Sequence, residues 1–404
     1  MDGGFGFLER LSSDVLDKIS EYVHKKGCFR SWTKYWPNLC TSSSTWISPG
    51  RSVFVYGSSF GKKQLNKLVR NHASGLRSLD ITSCHSLRDE DLASALCTTI
   101  SLEELVLVDN CWLRGTDGFF QVLGRLPNLQ VINASNCRNI DGCALKHLSQ
   151  SSSIYKLVLD RCNISDDFFE YIPKQVTFLS VRMCRKITAK GLEILAQRKI
   201  PIQQLFLDQC SRIQTLDFFS SHVMWWSDNL FHLSIAFVFD LDDQNLLYVS
   251  QLRSLRHLKF SAGNVTTKGL FVLQRLLGLQ HLTMLRLDRA DLDALHYFSP
   301  RLETLYIYGC RGATQKGLQG ILQLKNLMEL VLCHNSTIKN LSFLVASPSL
   351  KKLRFLQISN FYNLSRSCIL ALDSFSNEKL TIIVTGTNTP VEYLGVRQAS
   401  AYIC

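Results

Sequence analysis

The side chains best suited to chemistry in this chain are its cysteines, fourteen in 404 residues. Thiolates hold zinc, form disulfides or attack electrophiles, and each role carries its own spacing. Zinc and redox centres commonly pair their thiols as C-x-x-C, and no such pair occurs here. Instead, Cys84, Cys137, Cys162, Cys184, Cys210 and Cys310 each close the same phrase, as in Leu76-x-x-Leu79-x-Ile81-x-x-Cys84 and Ile202-x-x-Leu205-x-Leu207-x-x-Cys210. A cysteine that always returns beside the same leucines reads as a small buried side chain with a weak S–H donor, held in a reducing compartment. Other catalytic signatures are missing: there is no G-x-S-x-G, no H-E-x-x-H and no phosphate-cradling glycine loop. Cys333 and His334 are neighbours on an expected strand and point to opposite faces, which argues against a dyad. Lone histidines such as His257 fall on repeat surfaces without a partner base. The residues therefore predict a protein that is not an enzyme, with no cofactor and no metal.

The elements that position these cysteines follow from the phrase itself. Its copies are spaced by roughly 25 residues, the period of a leucine-rich repeat. In the copy from Val176, Leu179 and Val181 alternate with Ser180 and Arg182, the pattern of a short strand with one buried face. Cys184 turns the chain inward, Ile187 enters the core, and Thr188 is placed to cap a helix carrying Gly191-Leu192-x-x-Leu195. Asp141, Ser165, Asp242, Thr266 and Thr314 fall at equivalent cap positions. The expected fold class is α/β: a right-handed leucine-rich-repeat solenoid, a horseshoe with parallel strands on the concave side and helices on the convex side. Less regular copies begin near Leu102, Leu230, Leu255, Leu282, Leu327, Leu353 and Leu380. About 12–13 repeats are expected over residues 51–404, with a cap-like first strand near 53–56 and a C-terminal cap or tail at 385–404. The apolar run Val223–Trp226 reads as a lengthened helix packed on its neighbours, with an exposed partner patch as the alternative.

Composition sets further bounds. Hydrophobic residues make up 46% of the chain, ample for a continuous core. Apolar stretches such as Val53–Tyr56 are too short to span a bilayer. The start, Met1–Phe5, lacks a basic region and an apolar segment, so a cytoplasmic or nuclear location is expected. The formal charge of +12 is scattered rather than gathered into a stripe with aromatics. That pattern favours a solvated basic surface over nucleic-acid binding and leaves room for acidic partners.

The cysteine-containing form, and Cys184-Arg185-Lys186-Ile187-Thr188-Ala189-Lys190-Gly191-Leu192 in particular, resembles the F-box leucine-rich-repeat proteins. The segment Leu11-Ser12-Ser13-Asp14-Val15-Leu16-Asp17-Lys18-Ile19-Ser20-Glu21-Tyr22-Val23 looks like the opening of an F-box, whose motif reads L-P-x-[DE]-[VIL]-L-x-x-I-x-x-[YF]-[LV]. Val15, Leu16, Ile19, Tyr22 and Val23 keep helical spacing, with Ser12 or Ser13 as cap. Trp32 or Trp36, and then Trp46, stand where the family carries tryptophans. Ser12 replaces the motif's proline, and His24-Lys25-Lys26-Gly27 puts polar residues where an apolar helix is usual. The alternative is that residues 5–46 form only a helical cap over the first repeat. On the resemblance, residues 1–50 form a degenerate F-box-like helical domain. It implies a substrate-recognition subunit of a Skp–cullin–F-box ubiquitin ligase, which directs a protein substrate to ubiquitination and proteasomal degradation. The implied partners are a Skp-family adaptor, through it a cullin, and an unknown protein substrate; neither nucleic acid nor membrane is implied. Leu11, Ser12, Asp14, Val15, Leu16 and Ile19 carry the adaptor-binding positions over to this chain.

Substrate residues are sought between the strand anchors. The position after the first anchor reads Asp80, Val106, Asn133, Val158, Ser180, Phe206, Ser234, Lys259, Arg286, Tyr306, Val331 and Gln357. Asp160, Arg182, Asp208, Asp288 and Tyr308 lie two residues further on. Arg182, Phe206, Lys259, Arg286, Tyr306 and Tyr308 are the aromatic and cationic candidates for a protein interface, with Lys259, Arg286, Tyr306 and Tyr308 expected as one cluster. A ligase-independent repeat scaffold or inhibitor remains the alternative reading of the whole chain.

Overall fold

A computed structural model describes residues 45–47, 52–55, 60–72, 75–142, 144–238, 241–309, 311–374 and 380–386. The F-box-like positions Leu11, Ser12, Asp14, Val15, Leu16 and Ile19 lie outside the described residues, as do Cys310 and all but the first two residues of the expected C-terminal cap. The chain forms two compact units, one reaching to Asn163 and including Tyr171–Val176, the other comprising Ile164–Glu170 and the chain from Thr177.

In the first unit, β1 (Thr45–Ile47) pairs antiparallel with β2 (Ser52–Val55), placing Trp46 opposite Phe54. Four parallel strands follow in chain order: β3 (Ser78–Asp80), β4 (Glu104–Val106), β5 (Val131–Asn133) and β6 (Lys156–Val158). Each three-residue strand spends its middle position on an anchor. Leu79, Leu105, Ile132 and Leu157 stand in register and are fully buried. Return segments are the helices Lys62–His72, Asp89–Leu96 and Asp117–Arg125 and a 3-10 turn at Ala144–Gln150.

The second unit continues the same plan in β7 (Phe178–Ser180), β8 (Gln204–Phe206), β9 (His232–Ile235), β10 (His257–Ser261), β11 (His281–Leu285), β12 (Thr304–Tyr308), β13 (Glu329–Asn335), β14 (Phe355–Phe361) and β15 (Thr381–Thr385). All are parallel, with Leu179, Leu205, Leu233, Leu258, Leu282, Leu305, Leu330 and Leu356 in one register row. The parallel sheet needs its helical crossovers, and the repeat supplies one per strand.

Two sequence-based registers are corrected. In β11 the anchor is Leu282, because Thr283 pairs with Lys259 and Tyr306. Arg286 therefore follows the strand instead of facing outward from its middle. In β15, Ile382 pairs with Leu356 and Val384 with Ile358, so the last copy is displaced by one residue from the reading that began at Leu380. Both errors arise because a run such as Leu282-Thr283-Met284-Leu285 offers apolar residues in two frames, and only pairing selects one.

The recurrent cysteine has a defined task. A residue with positive φ precedes it in each copy, Ser83 (58°), Asn136 (62°), Arg161 (60°), Met183 (59°) and Gln209 (62°), and turns the chain out of the strand. In three copies the thiol that follows donates to a carbonyl of the preceding repeat, which also accepts a backbone N–H of its own turn. Cys137 Sγ reaches Leu107 O at 3.0 Å, Cys162 Sγ reaches Ala134 O at 3.1 Å, and Cys210 Sγ reaches Val181 O at 3.0 Å. Asn110 does the same work with an amide, donating to Ile81 O at 2.8 Å. Burial pushes the Cys137 thiol up to about 12 and raises that of Cys162 as well, so both stay neutral thiols. The described cysteines form no disulfide with one another.

Helix entry explains the recurring Thr-x-x-Gly. Thr188 Oγ1 accepts from Lys190 N–H at 3.2 Å and donates to Asp166 Oδ2 at 2.6 Å. Asp242 and Thr314 cap their helices as expected, accepting from Asn245 N–H and Gly317 N–H. Thr266 does not cap with its side chain; its hydroxyl donates to Asp243 Oδ2 at 2.7 Å instead. Gly191 lies where a Cβ would meet Asp166 Oδ1 and the Phe169 ring at 2.6 Å, so glycine lets the preceding turn approach. The Val223–Trp226 run is helical, and within it Trp226 is fully buried against Phe219, with ring centroids 5.3 Å apart, while Met224 is exposed. Among the described residues, no helix is long and apolar enough to cross a membrane.

Candidate functional site

The strand face of the second unit carries the candidates, and the register sorts them into columns. The position before the anchor holds Phe178, Gln204, His232, His257, His281, Thr304 and Glu329 in successive strands. The position after it holds Ser180, Phe206, Ser234, Lys259, Thr283, Tyr306 and Val331. Adjacent strands stand about 4.8 Å apart, so rings in one column stack without any backbone adjustment.

Three imidazoles form such a stack. The His232 and His257 rings are 4.9 Å apart and the His257 and His281 rings 4.1 Å apart, both pairs within 8° of parallel. Phe206 lies 4.5 Å from His232 and 5.1 Å from Phe178, and the Arg182 guanidinium covers its face at 4.5 Å. At the other end, His281 Nδ1 bonds Thr304 Oγ1 at 2.7 Å. Burial lowers the His232 imidazole to about 4, with the His257 ring and Arg182 adding to the effect. His257 is lowered too, by burial first and then by His281 and Arg256. His232 is thus neutral at pH 7.

Asp208 organises the cations. Its side chain is only 10% exposed, and burying a carboxylate requires partners for both oxygens. Oδ1 accepts from Ser234 Oγ and Ala236 N–H, each at 2.7 Å. Oδ2 lies 3.3 Å from Arg182 Nε and 3.5 Å from Lys259 Nζ. Further along, Tyr306 donates to Glu329 Oε2, and burial followed by this bond raises its phenol. The Tyr306 and Tyr308 rings meet edge to face at 6.4 Å.

The structure therefore regroups the sequence candidates. Arg182, Phe206 and Lys259 converge through Asp208, whereas Tyr306 and Tyr308 form a separate pair beside Glu329. Lys259 and Tyr306 are separated by the strand of Thr283. Arg286 has φ 56°, lies past the end of β11, and places its backbone N–H on Tyr308 O at 2.7 Å. Of the expected Lys259–Arg286–Tyr306–Tyr308 cluster, Tyr306 and Tyr308 meet, Arg286 bonds Tyr308 through its backbone, and Lys259 joins Asp208. Phe206, expected on a wet face, is 8% exposed because Phe178, His232 and Arg182 enclose it. The histidine column was missed. Its signal is the recurrence of histidine directly before the anchor in Phe231-His232-Leu233, Arg256-His257-Leu258 and Gln280-His281-Leu282. Each histidine looks unpartnered until the repeats are aligned.

No family model matches the chain, and no curated protein matches it. Among solved structures, yeast Rad7, crystallised in complex with Elc1, is similar over 96% of this chain and 96% of that chain, with 17% identity and a TM-score of 0.56. An internalin from Listeria monocytogenes aligns with 86% of this chain and 84% of its own, at 15% identity and TM-score 0.48. The TLR13 chain of a complex with ssRNA13 aligns over 83% of this chain and 59% of that one, at 16% identity and TM-score 0.45. Together with the strand register, the Rad7 likeness identifies the fold as a leucine-rich-repeat solenoid.

Proposed function

We propose that the chain is the substrate-recognition subunit of a Skp–cullin–F-box ubiquitin ligase and is itself non-catalytic. The observation that carries this reading is the order of its parts: the F-box-like run Leu11–Val23 stands ahead of cysteine-type repeats. Rad7's complex with Elc1 supports the idea that a chain of this fold assembles with a second protein. Leu11, Val15, Leu16 and Ile19 present the apolar side of the motif to a Skp-family adaptor, with Ser12 and Asp14 at its start. The adaptor joins a cullin, and the repeats hold a protein substrate on their strand face. The chain then acts by raising local concentration and orienting a lysine, which are entropic contributions rather than bond chemistry. Such a subunit works in the cytoplasm or nucleus.

Co-purification with a Skp-family adaptor tests the assignment. Wild type is expected to retain the adaptor, and Leu16→Asp, which buries a charge in the adaptor contact, is expected to lose it. Absence of the adaptor from the wild-type sample refutes the reading. Ser12 and the polar run His24-Lys25-Lys26-Gly27 favour a second reading, a repeat scaffold that binds its partner without a ligase. On that reading, deleting residues 1–46 leaves the partner's lifetime unchanged.

A further inference from the structure

At the N-terminal ends of β9 to β12 lies a cleft of about 760 Å³ that the proposed function does not use. Arg253, Arg256 and Arg301 line it, with Gln203, Gln280 and the edge of His257. Asp228 is the one acidic residue in its wall. The three arginines are exposed, and none makes an ion pair among the described residues. The contrast within the same face is informative. Arg182 and Lys259 share Asp208, so their charges are already answered. Those of Arg253, Arg256 and Arg301 are not. Guanidinium groups that outnumber the one carboxylate of a polar cleft and make no ion pair with it offer forked donors to further carboxylates.

Beside the cleft, the imidazole column decides between kinds of acidic partner. A nucleic-acid site needs free aromatic faces on which bases stack. Here the ring faces are turned to one another: His257 is sandwiched between His232 and His281, and the far side of His232 meets Phe206. For His232 and His257 the ring edges remain, and these are hydrogen-bonding groups suited to side-chain carboxylates and peptide backbone. Parallel rings also aim their nitrogens side by side rather than at one point, which suits a run of polar contacts and not a shared metal ion.

We infer that this surface, the Arg253–Arg256–Arg301 cleft together with the edges of His232, His257 and His281, binds an extended acidic peptide segment of a protein partner. The inference deepens the proposed function and rests on its reading of the repeats as a protein receptor. It names the chemistry of the bound segment: glutamates or aspartates along an extended chain, with carboxylates at the arginines and backbone across the imidazole edges.

The test uses the full-length chain and a fluorescein-labelled peptide of alternating glutamate and serine, read by fluorescence anisotropy at low salt. Wild type is expected to bind it and to ignore the lysine-for-glutamate peptide. R253E/R256E/R301E is expected to lose about tenfold or more in affinity. R185E/K186E/K190E makes the same change in net charge at exposed positions outside the cleft and is expected to bind as wild type does. R253Q/R256Q/R301Q, which introduces no repulsion, gives a smaller loss and guards against misfolding of the reversed variant, as checked by circular dichroism. Equal loss in the two charge-reversed variants overturns the inference, because net charge alone then explains binding. So does an undetectable wild-type complex, or a single-stranded RNA bound more tightly than the peptide through the same arginines. Adaptor co-purification separates this inference from its premise. Leu16→Asp loses the adaptor yet binds the peptide, and R253E/R256E/R301E does the reverse.

Discussion

The strand faces of the two units use one scaffold in opposite ways. In the first unit, two polar groups close on their own repeat, beside pairwise cross-strand bonds such as Ser78 Oγ to Glu104 Oε2 at 2.9 Å. Asp80 Oδ1 accepts from Thr82 N–H at 2.9 Å and from its hydroxyl at 2.6 Å, and Asn133 Oδ1 takes Ser135 N–H and hydroxyl at 3.1 and 2.7 Å. In the second unit, Asp208 gathers partners from three other repeats, those of Arg182, Ser234 and Lys259. The turns at Asp80 and Asn133 are local. The arrangement at Asp208 is a network in which removing one member strands the others. The anchors beneath both faces are equivalent, since Leu105 and Leu205 are each fully buried at the middle of a three-residue strand. Individuality therefore lies in the outward positions, where the proposed substrate would make contact.

This comparison fails if the scaffolds are unequal. Leu105→Ala and Leu205→Ala are each expected to cost about 2–5 kcal/mol, the range for a large-to-small core change. Urea unfolding monitored by circular dichroism checks this, and a large loss in one unit with none in the other would end the idea of a shared scaffold. The faces themselves should differ. Phe206→Ala removes the centre of a stack of Phe178, His232 and Arg182 and is expected to cost about 3 kcal/mol. Asn133→Ala breaks only its own turn and should cost about 1 kcal/mol or less. Comparable losses from the two substitutions would mean that the cross-strand network adds nothing.

A smaller effect follows from acidity. His232 is held near 4 in the folded chain, against about 6.5 for a free imidazole. Between those values the unfolded chain binds the additional proton, so stability is full above about pH 6.5 and falls as pH drops toward 4. His257 contributes in the same direction. Thermal melts across this window should show a shallower decline for His232→Gln than for wild type. Parallel profiles would place the imidazole in solvent rather than in the stack.

Much of the scaffold was legible because its signals are local. Cys184, Ile187, Thr188 and Gly191 announce strand exit, core entry, cap and close approach within one repeat. The fold follows from such residues, including the role of Asn110 in the cysteine slot. The site was legible only in part, since it depends on register between strands. Arg182, Phe206 and Lys259 can each be picked out from the sequence, but the meeting point of the two cations, Asp208, is a relation among distant repeats. Arg286 was misplaced because β11 offers two apolar frames, and pairing of Thr283 with Lys259 chooses between them. The histidine column shows the same limit. Its members are 25 and 24 residues apart, at His232, His257 and His281, and become neighbours only through the pairing of β9, β10 and β11.

The central claim is that the chain joins two partners through separate parts, a Skp-family adaptor through Leu11–Val23 and an acidic substrate segment through the strand face of the second unit. The most direct test is affinity capture of the full chain from cells, with adaptor and client quantified together by mass spectrometry. Wild type is compared with Leu16→Asp and R253E/R256E/R301E. The account predicts that Leu16→Asp loses the adaptor and keeps the client, while the arginine variant keeps the adaptor and loses the client. Loss of both partners in both variants, or a wild-type chain that brings down no adaptor, would contradict it.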